Sequence, residues 1–290
     1  MQSQIFPRPK EKVLNAARKE SNKKPVGGKN MIGRFKFENE IFYGDIKGER
    51  VVVDRGLYSD TFVLSELQLL PPAQPSKIIC VGLNYKDHAK ELKMPIPKKP
   101  LLFLKPPSAV IGHMENIVYP DKVNRLDYEA ELAVIIGTRC KNVRAADAGN
   151  MIMGYSCFND VTARDLQKED TQWTRSKSFD TFAPVGPYIA DPTLDISNLR
   201  IRTRVNGELR QDSSTANLIF KVPQLIEFIS GIMTLERGDI IATGTPPDVG
   251  ELTVGDTVEI EIENIGVLKN GVIGGINWMI KNIMPEKETY

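Results

Sequence analysis

The fold is decided by one stretch of the sequence, Leu126-Asp127-Tyr128-Glu129-Ala130-Glu131-Leu132-Ala133-Val134-Ile135-Ile136-Gly137. Successive side chains of a β-strand alternate between two faces, so Asp127, Glu129 and Glu131 share one face. The opposite face is apolar from Tyr128 onward, and the acidic face itself becomes apolar at Ala133. We expect this change in a strand that runs from a metal-binding cleft into a core, because two carboxylates at i and i+2 can converge on one hard cation.

A second stretch, Val258 to Glu263, also alternates carboxylates with apolar residues. We interpret it as a half-buried edge strand whose acidic side chains lie in water. Spacing alone therefore leaves a solvated face open for Glu129 and Glu131 as well. The prediction of a metal site depends on the other residues that the chain supplies.

The composition is that of an ordinary globular protein. The chain has 290 residues, 41% of them hydrophobic, and a formal net charge of +1. This balance gives no bulk attraction to nucleic acid or to acidic membranes, and the length suits one or two domains. No apolar run approaches the roughly 20 residues that span a bilayer, and no signal-peptide core follows Met1. We therefore expect a cytoplasmic protein with neither a nucleic-acid nor a membrane partner.

Cysteine and histidine are scarce, which limits the possible chemistry. Cys80, Cys140 and Cys157 are widely separated and lie in apolar surroundings, as is typical of reduced core thiols rather than disulfides or a zinc site. His88 and His113 are the two histidines of the chain. A three-histidine metal centre is therefore excluded, and any histidine acid or base must be one of these two.

The sequence divides into three parts. Residues 1–30 are rich in Lys, Pro and Gly, and we expect a disordered basic extension, with a transit peptide as the alternative. Residues 31–72 read as short strands and turns, which predicts a small N-terminal β domain that ends at a proline-rich linker. Residues 75–285 then form the predicted catalytic domain.

A short helix is predicted from Asn84 to Leu92, with His88 and Glu91 at i and i+3 on one face. A carboxylate beside an imidazole orients the ring and stabilises its protonated form, as a general base requires. An exposed helix that carries an unrelated His and Glu is the alternative.

A second polar cluster follows the strand predicted from Gly154 to Asp160. Arg164 and Gln167 come four and seven residues after Asp160, so the three side chains line one face of the predicted helix from Val161 to Leu166 and a little beyond. The alternative is that Asp160 only caps this helix.

Two further segments carry candidate ligand-binding groups. The stretch 173–180 reads as an irregular loop in which Lys177 either is solvated or faces an anionic ligand. The strand at 239–243 runs into a turn where Thr245 and adjacent backbone N–H groups could hold a carboxylate. A plain Thr/Gly/Pro turn remains the alternative there.

Taken in order, five segments resemble the fumarylacetoacetate hydrolase superfamily, and the similarity covers roughly residues 75 to 270. They are Val81-Gly82-Leu83-Asn84-Tyr85 through His88-Ala89-Lys90-Glu91, Leu126 to Leu132, Asn159 to Gln167, Lys177-Ser178-Phe179-Asp180, and Thr243-Gly244-Thr245-Pro246. The resemblance implies a β-rich α+β fold, a mixed β-sandwich roll, with a small N-terminal β domain. It also implies a homodimer that binds Mg²⁺ (or Mn²⁺) through Glu129, Glu131 and Asp160, with no organic cofactor.

The resemblance also implies roles for the remaining candidates. Substrate oxygens would be surrounded by Arg164, Gln167 and Lys177, and Thr245 would bind a carboxylate. A water-activating dyad on a mobile lid would be formed by His88 and Glu91. The larger two-domain hydrolases of the superfamily have an additional metal-binding Asp near the position of Asn84, and its absence here argues against their substrate.

The predicted activity is metal-dependent hydrolysis of an acylpyruvate-type C–C bond in a small 2-oxo or 2,4-dioxo acid, with catalytic roles for His88, Glu91 and Lys177. The alternative is an oxaloacetate-type decarboxylase or a 2-hydroxyhepta-2,4-diene-1,7-dioate isomerase that uses the same metal site. A non-catalytic metal- or ligand-binding protein is a third interpretation, although simple binding does not require the His88–Glu91 pair.

Overall fold

The structure is a computed structural model that describes residues 31–275. The predicted basic extension at 1–30 and the last part of the predicted catalytic domain lie outside the described residues. In chain order the strands are β1 (Met31–Phe37), β2 (Glu40–Lys47), β3 (Arg50–Asp54), β4 (Ser59–Val63), β5 (Gln68–Leu70), β6 (Ile78–Gly82), β7 (Leu101–Lys105), β8 (Val110–Ile111), β9 (Asn116–Tyr119), β10 (Leu126–Tyr128), β11 (Ala130–Ile136), β12 (Ile152–Asn159), β13 (Thr162–Ala163), β14 (Ala183–Ala190), β15 (Arg200–Val205), β16 (Glu208–Ser214), β17 (Ile240–Ala242), β18 (Gly250–Leu252), β19 (Thr257–Ile262) and β20 (Gly266–Gly274).

The α-helices of this part of the chain are few and short. They are α1 (Lys86–Glu91), α2 (Arg164–Glu169), α3 (Thr174–Lys177) and α4 (Val222–Ile232), and 3₁₀ turns lie at Leu64–Glu66, Pro107–Ala109, Ala145–Met151 and Thr215–Asn217. None of the helices between residues 31 and 275 has the length and apolarity that crossing a bilayer requires.

Three sheets organise the described residues. The largest has the order β4-β3-β2-β1-β14-β12-β11-β17-β6-β7, with β5 added to β1 and β8 added to β14. A second sheet has the order β13-β10-β18, and a third has the order β16-β15-β19-β20-β9. Antiparallel pairs dominate, but β17 with β6, β14 with β8 and β20 with β9 are parallel, so the sheets are mixed as predicted.

The predicted small β domain has an apolar cluster of its own. Phe35, Phe42, Val51 and Val53 are buried there, and the rings of Phe42 and Phe62 stack with centroids 4.9 Å apart. Strand β1 also pairs with β14, so these strands continue the large sheet rather than standing apart from it. The domain boundary itself stays a prediction.

Strand β11 lies in the middle of the molecule, between β12 and β17. All seven of its residues are buried, because both faces of the sheet are covered at this point. A strand buried on both faces reads as a nearly continuous apolar run, which explains the change of polarity at Ala133. Glu131, near its start, is the one charged residue in this strand.

The stretch predicted as one strand is divided at Glu129 into β10 and β11, which belong to different sheets. The Glu129 backbone N–H leaves the strand ladder and donates to Asn159 Oδ1 at 2.9 Å. Strand β10 then pairs with β13 and β18. The division turns the chain at the position where the first predicted metal ligand stands.

The interpretation of 258–263 as an edge strand is wrong. Strand β19 lies inside the third sheet, between β15 and β20. Its alternation is nevertheless half-buried as expected, and Glu259 and Glu261 pair with Lys269 and Arg202 on the partly exposed face. The acidic side chains of this strand therefore form ion pairs with neighbouring cations, whereas the sequence predicted that they lie in water.

Helix boundaries shift where strands compete for the same residues. Helix α1 begins only at Lys86, because Tyr85 is extended and forms a β-bridge with Leu218. Helix α2 begins at Arg164 rather than Val161, because β13 pairs with β10 immediately before it. Within the stretch predicted as an irregular loop, α3 ends at Lys177.

The cysteine prediction is confirmed. Cys80, Cys140 and Cys157 are free and buried. Burial raises the pKa of the Cys157 thiol to about 12, so this side chain stays protonated at neutral pH.

Candidate metal centre and active site

Three carboxylates, those of Glu129, Glu131 and Asp160, converge in the interior, with candidate ligand atoms within 4.8 Å of one another. They are 7%, 1% and 0% exposed respectively. The antiparallel register pairs Ala130 with Asn159, and the Asp160 N–H donates to the Glu129 carbonyl at 2.9 Å. Strand pairing thus brings together ligands that lie some 30 residues apart in the chain.

Buried cations neutralise part of this cluster. Lys177 Nζ donates to Glu129 Oε2 at 3.0 Å and to Asp160 Oδ2 at 2.6 Å. Lys105 Nζ forms an ion pair with Asp160 Oδ1 and donates to the Val161 carbonyl at 3.0 Å. Burial opposes the charge of Lys177, but Asp160 and Glu129 outweigh it and raise the pKa of the ammonium. Asp160 is therefore a doubly paired carboxylate and not a helix cap.

Arg164 joins the cluster from the start of α2. Its guanidinium pairs with Glu129 Oε1 and donates from Nε to Asp127 Oδ2 at 2.8 Å. Burial raises the pKa of Glu129, but Lys177 and Arg164 outweigh that effect and lower it to about 2. Asp127 also accepts from Arg125 Nε at 2.8 Å. It therefore lies between two arginines, of which Arg164 lines the cavity.

Glu131 differs from its two neighbours because none of these cations pairs with it directly. Its Oε2 accepts from the Gly244 N–H at 2.8 Å. Burial, followed by the charges of Asp160 and Glu129, raises the pKa of Glu131 well above its usual range. A hard divalent ion bound by oxygen would relieve this repulsion, so the donor set fits Mg²⁺ or Mn²⁺.

Helix α1 places the predicted dyad at the cavity. His88 Nδ1 and Glu91 Oε2 are 2.6 Å apart, and the His88 side chain is 12% exposed. Glu91 Oε1 accepts from the Asp248 N–H at 3.1 Å. Asp87 fixes the base of the helix, because its Oδ2 accepts from Ser213 and from Asn217 Nδ2.

Thr245 lies at the cavity in the turn after β17, and a buried glutamine holds it there. Gln211 Nε2 donates to Thr245 Oγ1 at 3.1 Å and to the Pro246 carbonyl at 3.0 Å. Gln211 Oε1 accepts from the Ala130 N–H at 3.1 Å, between the two glutamates of the cluster. One side chain therefore connects the predicted carboxylate-binding turn to the predicted metal-binding strand.

A cavity of about 360 Å³ opens over these groups. Eight of the nine predicted site residues line it, namely His88, Glu129, Glu131, Asp160, Arg164, Gln167, Lys177 and Thr245. Glu91 reaches the cavity through His88. Gln167 is oriented by Arg164, whose Nη1 donates to its Oε1 at 2.6 Å.

Sequence reasoning missed several residues that build or line this site, among them Lys105, Asp127 as a partner of Arg164, Gln211 and Trp173. A weak signal existed for Lys105, a lone cation at the end of the apolar run 101–104. Gln211 gave no signal, because its partners are 34 and 81 residues away along the chain.

The chain matches a known family over most of its length. Residues 77–273 match the family described as fumarylacetoacetate (FAA) hydrolase C-terminal. The mitochondrial oxaloacetate tautomerase FAHD2B of Bos taurus is 44% identical over 236 residues, covering 77% of this chain and 75% of that protein.

Solved structures show the same architecture. The 2-hydroxyhepta-2,4-diene-1,7-dioate isomerase from Mycobacterium marinum is 39% identical with a TM-score of 0.78, covering 85% of this chain and 99% of that chain. The maleylpyruvate hydrolase from Sphingobium sp. SYK-6, in complex with manganese(II) and pyruvate, is 29% identical with a TM-score of 0.71, covering 84% of this chain and 99% of that chain.

These likenesses confirm the predicted fold class, a β-rich α+β fold with mixed sheets. The relatives are enzymes that include hydrolase, isomerase and tautomerase activities, and the three buried carboxylates of this chain could bind a divalent metal. This chain belongs to the fumarylacetoacetate hydrolase family.

Proposed function

We propose that this protein is a divalent-metal-dependent hydrolase that cleaves the C–C bond of an acylpyruvate-type 2,4-dioxo acid. One observation carries the proposal: the His88–Glu91 pair faces the same cavity as the carboxylates of Glu129, Glu131 and Asp160. A metal site alone would not need a base beside it.

Substrate binding uses the carboxylate cluster and the polar groups around it. Glu129, Glu131 and Asp160 would hold Mg²⁺ or Mn²⁺, and the bound ion would supply Lewis-acid stabilisation of negative charge on a 2-oxo acid. The Thr245 hydroxyl and adjacent backbone N–H groups donate to the substrate carboxylate. Arg164 and Gln167 face the remaining substrate oxygens.

The dyad supplies the proton transfers. Since Glu91 occupies Nδ1 of His88, Nε2 is the nitrogen that takes a proton from water. The resulting hydroxide adds to C4 of the substrate, and Lys177 Nζ stabilises the oxyanion that forms. The C3–C4 bond then breaks, its electron pair passes to the pyruvate fragment, and a proton returned to that fragment completes pyruvate and a carboxylic acid.

The second candidate is tautomerisation or decarboxylation of an oxaloacetate-like acid, or isomerisation of a dioate. The relatives with tautomerase and isomerase activity favour it, because stabilising an enolate needs the carboxylate cluster but no water attack. A homodimer, a cytoplasmic location and a small 2-oxo acid as the physiological substrate are part of the same proposal.

Incubation of the purified protein with Mg²⁺ or Mn²⁺ tests the choice between these reactions. The panel contains several acylpyruvates and oxaloacetate, each with and without chelator, and products are identified by chromatography. Chelator-sensitive release of pyruvate with the matching carboxylic acid is the expected result. Pyruvate with carbon dioxide would mean a decarboxylase, and enol–keto conversion without cleavage would mean a tautomerase.

A further inference from the structure

The cavity has two chemically different ends. Its floor carries the charged and polar groups of the candidate active site. Its mouth is built of large apolar side chains, namely Leu92, Met94, Leu101, Phe103 and Trp173, which we call the mouth cluster. Ligand sites commonly combine a few fixed polar groups with an apolar wall that binds the rest of the ligand.

The mouth cluster comes from two sides of the cavity. Leu92 and Met94 follow α1, and their N–H groups donate to the carbonyls of His88 and Ala89 at 3.0 and 2.9 Å. Leu101 and Phe103 belong to β7 on the other side. The apolar surfaces therefore lie between the helix that carries the dyad and the edge of the large sheet.

Trp173 is fixed in this position by the residues around it. Its ring meets Phe103 edge to face, with centroids 5.2 Å apart and planes at 76°. A Cβ added at Gly82 would lie 2.9 Å from Trp173 Cζ3, so a residue with a side chain at position 82 would push the indole away. The indole is a formed part of the cavity wall rather than a loose surface side chain.

Three members of the mouth cluster are left about half in water. Leu92, Met94 and Leu101 are 49%, 52% and 54% exposed. Large apolar side chains that line a cavity and remain wet gain most when an apolar group of a ligand covers them.

The basic side chains that line the cavity are already committed within the described residues. Arg164 pairs with Asp127 and Glu129, and Lys177 pairs with Glu129 and Asp160. His88, the third basic side chain that lines the cavity, pairs with Glu91. Arg164 and Lys177 lie at the floor, where Lys177 Nζ is 5.1 Å from the centroid of the Phe103 ring, so Phe103 is the innermost member of the mouth cluster. A second carboxylate at the distal end of a substrate would lose its hydration against the mouth cluster without gaining a cation.

We infer that the mouth cluster binds an apolar acyl or alkyl substituent at the distal end of a 2-oxo acid. The site therefore selects monocarboxylic substrates with an apolar tail over substrates with a distal carboxylate. This inference rests on the proposed function for the position of the 2-oxo acid, and it specifies the substrate class of that site.

Binding of oxamate derivatives tests the inference without turnover. Oxamate has the shape of pyruvate, and its N-ethyl, N-butyl and N-hexyl derivatives extend an apolar tail towards the mouth. Affinities are measured by isothermal titration calorimetry with saturating Mn²⁺, and again with chelator. We expect affinity to rise about threefold to fourfold for each methylene that the mouth cluster buries. A derivative that ends in a carboxylate should bind at least about tenfold more weakly than the alkyl derivative of equal length.

A charge placed in the mouth should reverse this preference. Met94→Lys should bind the carboxylate-ended derivative about fivefold more tightly than the wild type does, and should lose affinity for the butyl derivative. Met114→Lys makes the same change at an exposed methionine outside the cavity and should keep the wild-type order. Thermal unfolding of both variants checks that they fold.

The outcomes separate the two proposals. Affinity that is flat along the alkyl series, or higher for the carboxylate-ended derivative in the wild type, overturns the apolar mouth while chelator-sensitive binding of oxamate still supports the 2-oxo acid site. Absence of chelator-sensitive oxamate binding overturns both.

Discussion

Replacing Lys105 with methionine should reveal the charge balance of the site. The Lys105 side chain is fully buried and forms an ion pair with Asp160. Asp127, Glu129, Glu131 and Asp160 are matched by the same number of cations, Arg125, Arg164, Lys177 and Lys105. Loss of one partner from a buried ion pair costs about 3 kcal/mol at the lower end of the usual range, so Lys105→Met should reduce the free energy of unfolding by about that amount.

The deficit should shrink when a divalent ion is present. Without Lys105 the cluster carries one excess negative charge, so the ion should bind more tightly to the variant. Each tenfold gain in affinity returns about 1.4 kcal/mol at saturating ion. Without the ion we expect the melting temperature to fall by about 6–12 °C, and with millimolar Mg²⁺ or Mn²⁺ we expect a smaller fall.

Differential scanning calorimetry with chelator and with added ion measures both quantities. Lys77→Met is the matched control, because Lys77 pairs with buried Asp239 at the opposite end of β6 from the cavity. Its deficit should not depend on the ion. If Lys105→Met leaves stability unchanged, or if its deficit is the same with and without ion, the charge balance described above is wrong.

Three further predictions concern the dyad, the connecting glutamine and pH. His88→Ala should lower kcat about 10²–10⁴-fold while calorimetric Mn²⁺ affinity is unchanged; retained turnover would remove His88 from the mechanism. Gln211→Met should raise KM more than it lowers kcat, because the turn that carries Thr245 loses its donors, and an unchanged KM would contradict that role. Burial raises the pKa of Asp239, but the hydrogen bond from Lys77 and other donors outweighs it and leaves the pKa below its usual 3.8. The stabilisation is therefore complete above pH 3.8 and is lost as pH falls through the lower folded-state pKa. In urea titrations the stability gap between wild type and Asp239→Asn should narrow as pH falls below about 4, and a gap that is constant with pH would refute this assignment.

The convergence of the three carboxylates could be predicted because their signal is local. Glu129 and Glu131 stand at i and i+2 beside an apolar run, and a strand places both side chains on one face. Asp160 ends the next predicted strand. The pairing of β11 with β12 then brings the three together. The other candidate site residues followed from the resemblance of five segments, in their order along the chain, to a known family.

The partners of these carboxylates could not be predicted in the same way. Lys105 and Gln211 act through contacts with residues 55 and 81 positions away, and no local pattern marks such contacts. The division of the strand at Glu129 was missed for a related reason. Polar and apolar residues alternate in the same way on both sides of Glu129. The strand pairing ends there because the Glu129 N–H donates to the side chain of Asn159, which the alternation does not reveal.

The helices were predicted less well than the strands. Helix α3 has four residues, too few for an apolar period to be visible, although it carries Lys177 to the cluster. Helix α2 begins late because two residues before it are taken by a strand pair. In both cases tertiary contacts decided the local structure, as is common for short elements.

Direct binding of Mn²⁺ tests the central claim most directly. Electron paramagnetic resonance titration of the wild type should show one tightly bound ion per chain. Glu131→Gln keeps an oxygen that can accept from the Gly244 N–H but removes the charge, so it should lose at least about tenfold in affinity. Glu259→Gln, the same change at a carboxylate outside the cavity, should bind as the wild type does. Equal affinity in Glu131→Gln and the wild type would contradict the assignment of the metal centre.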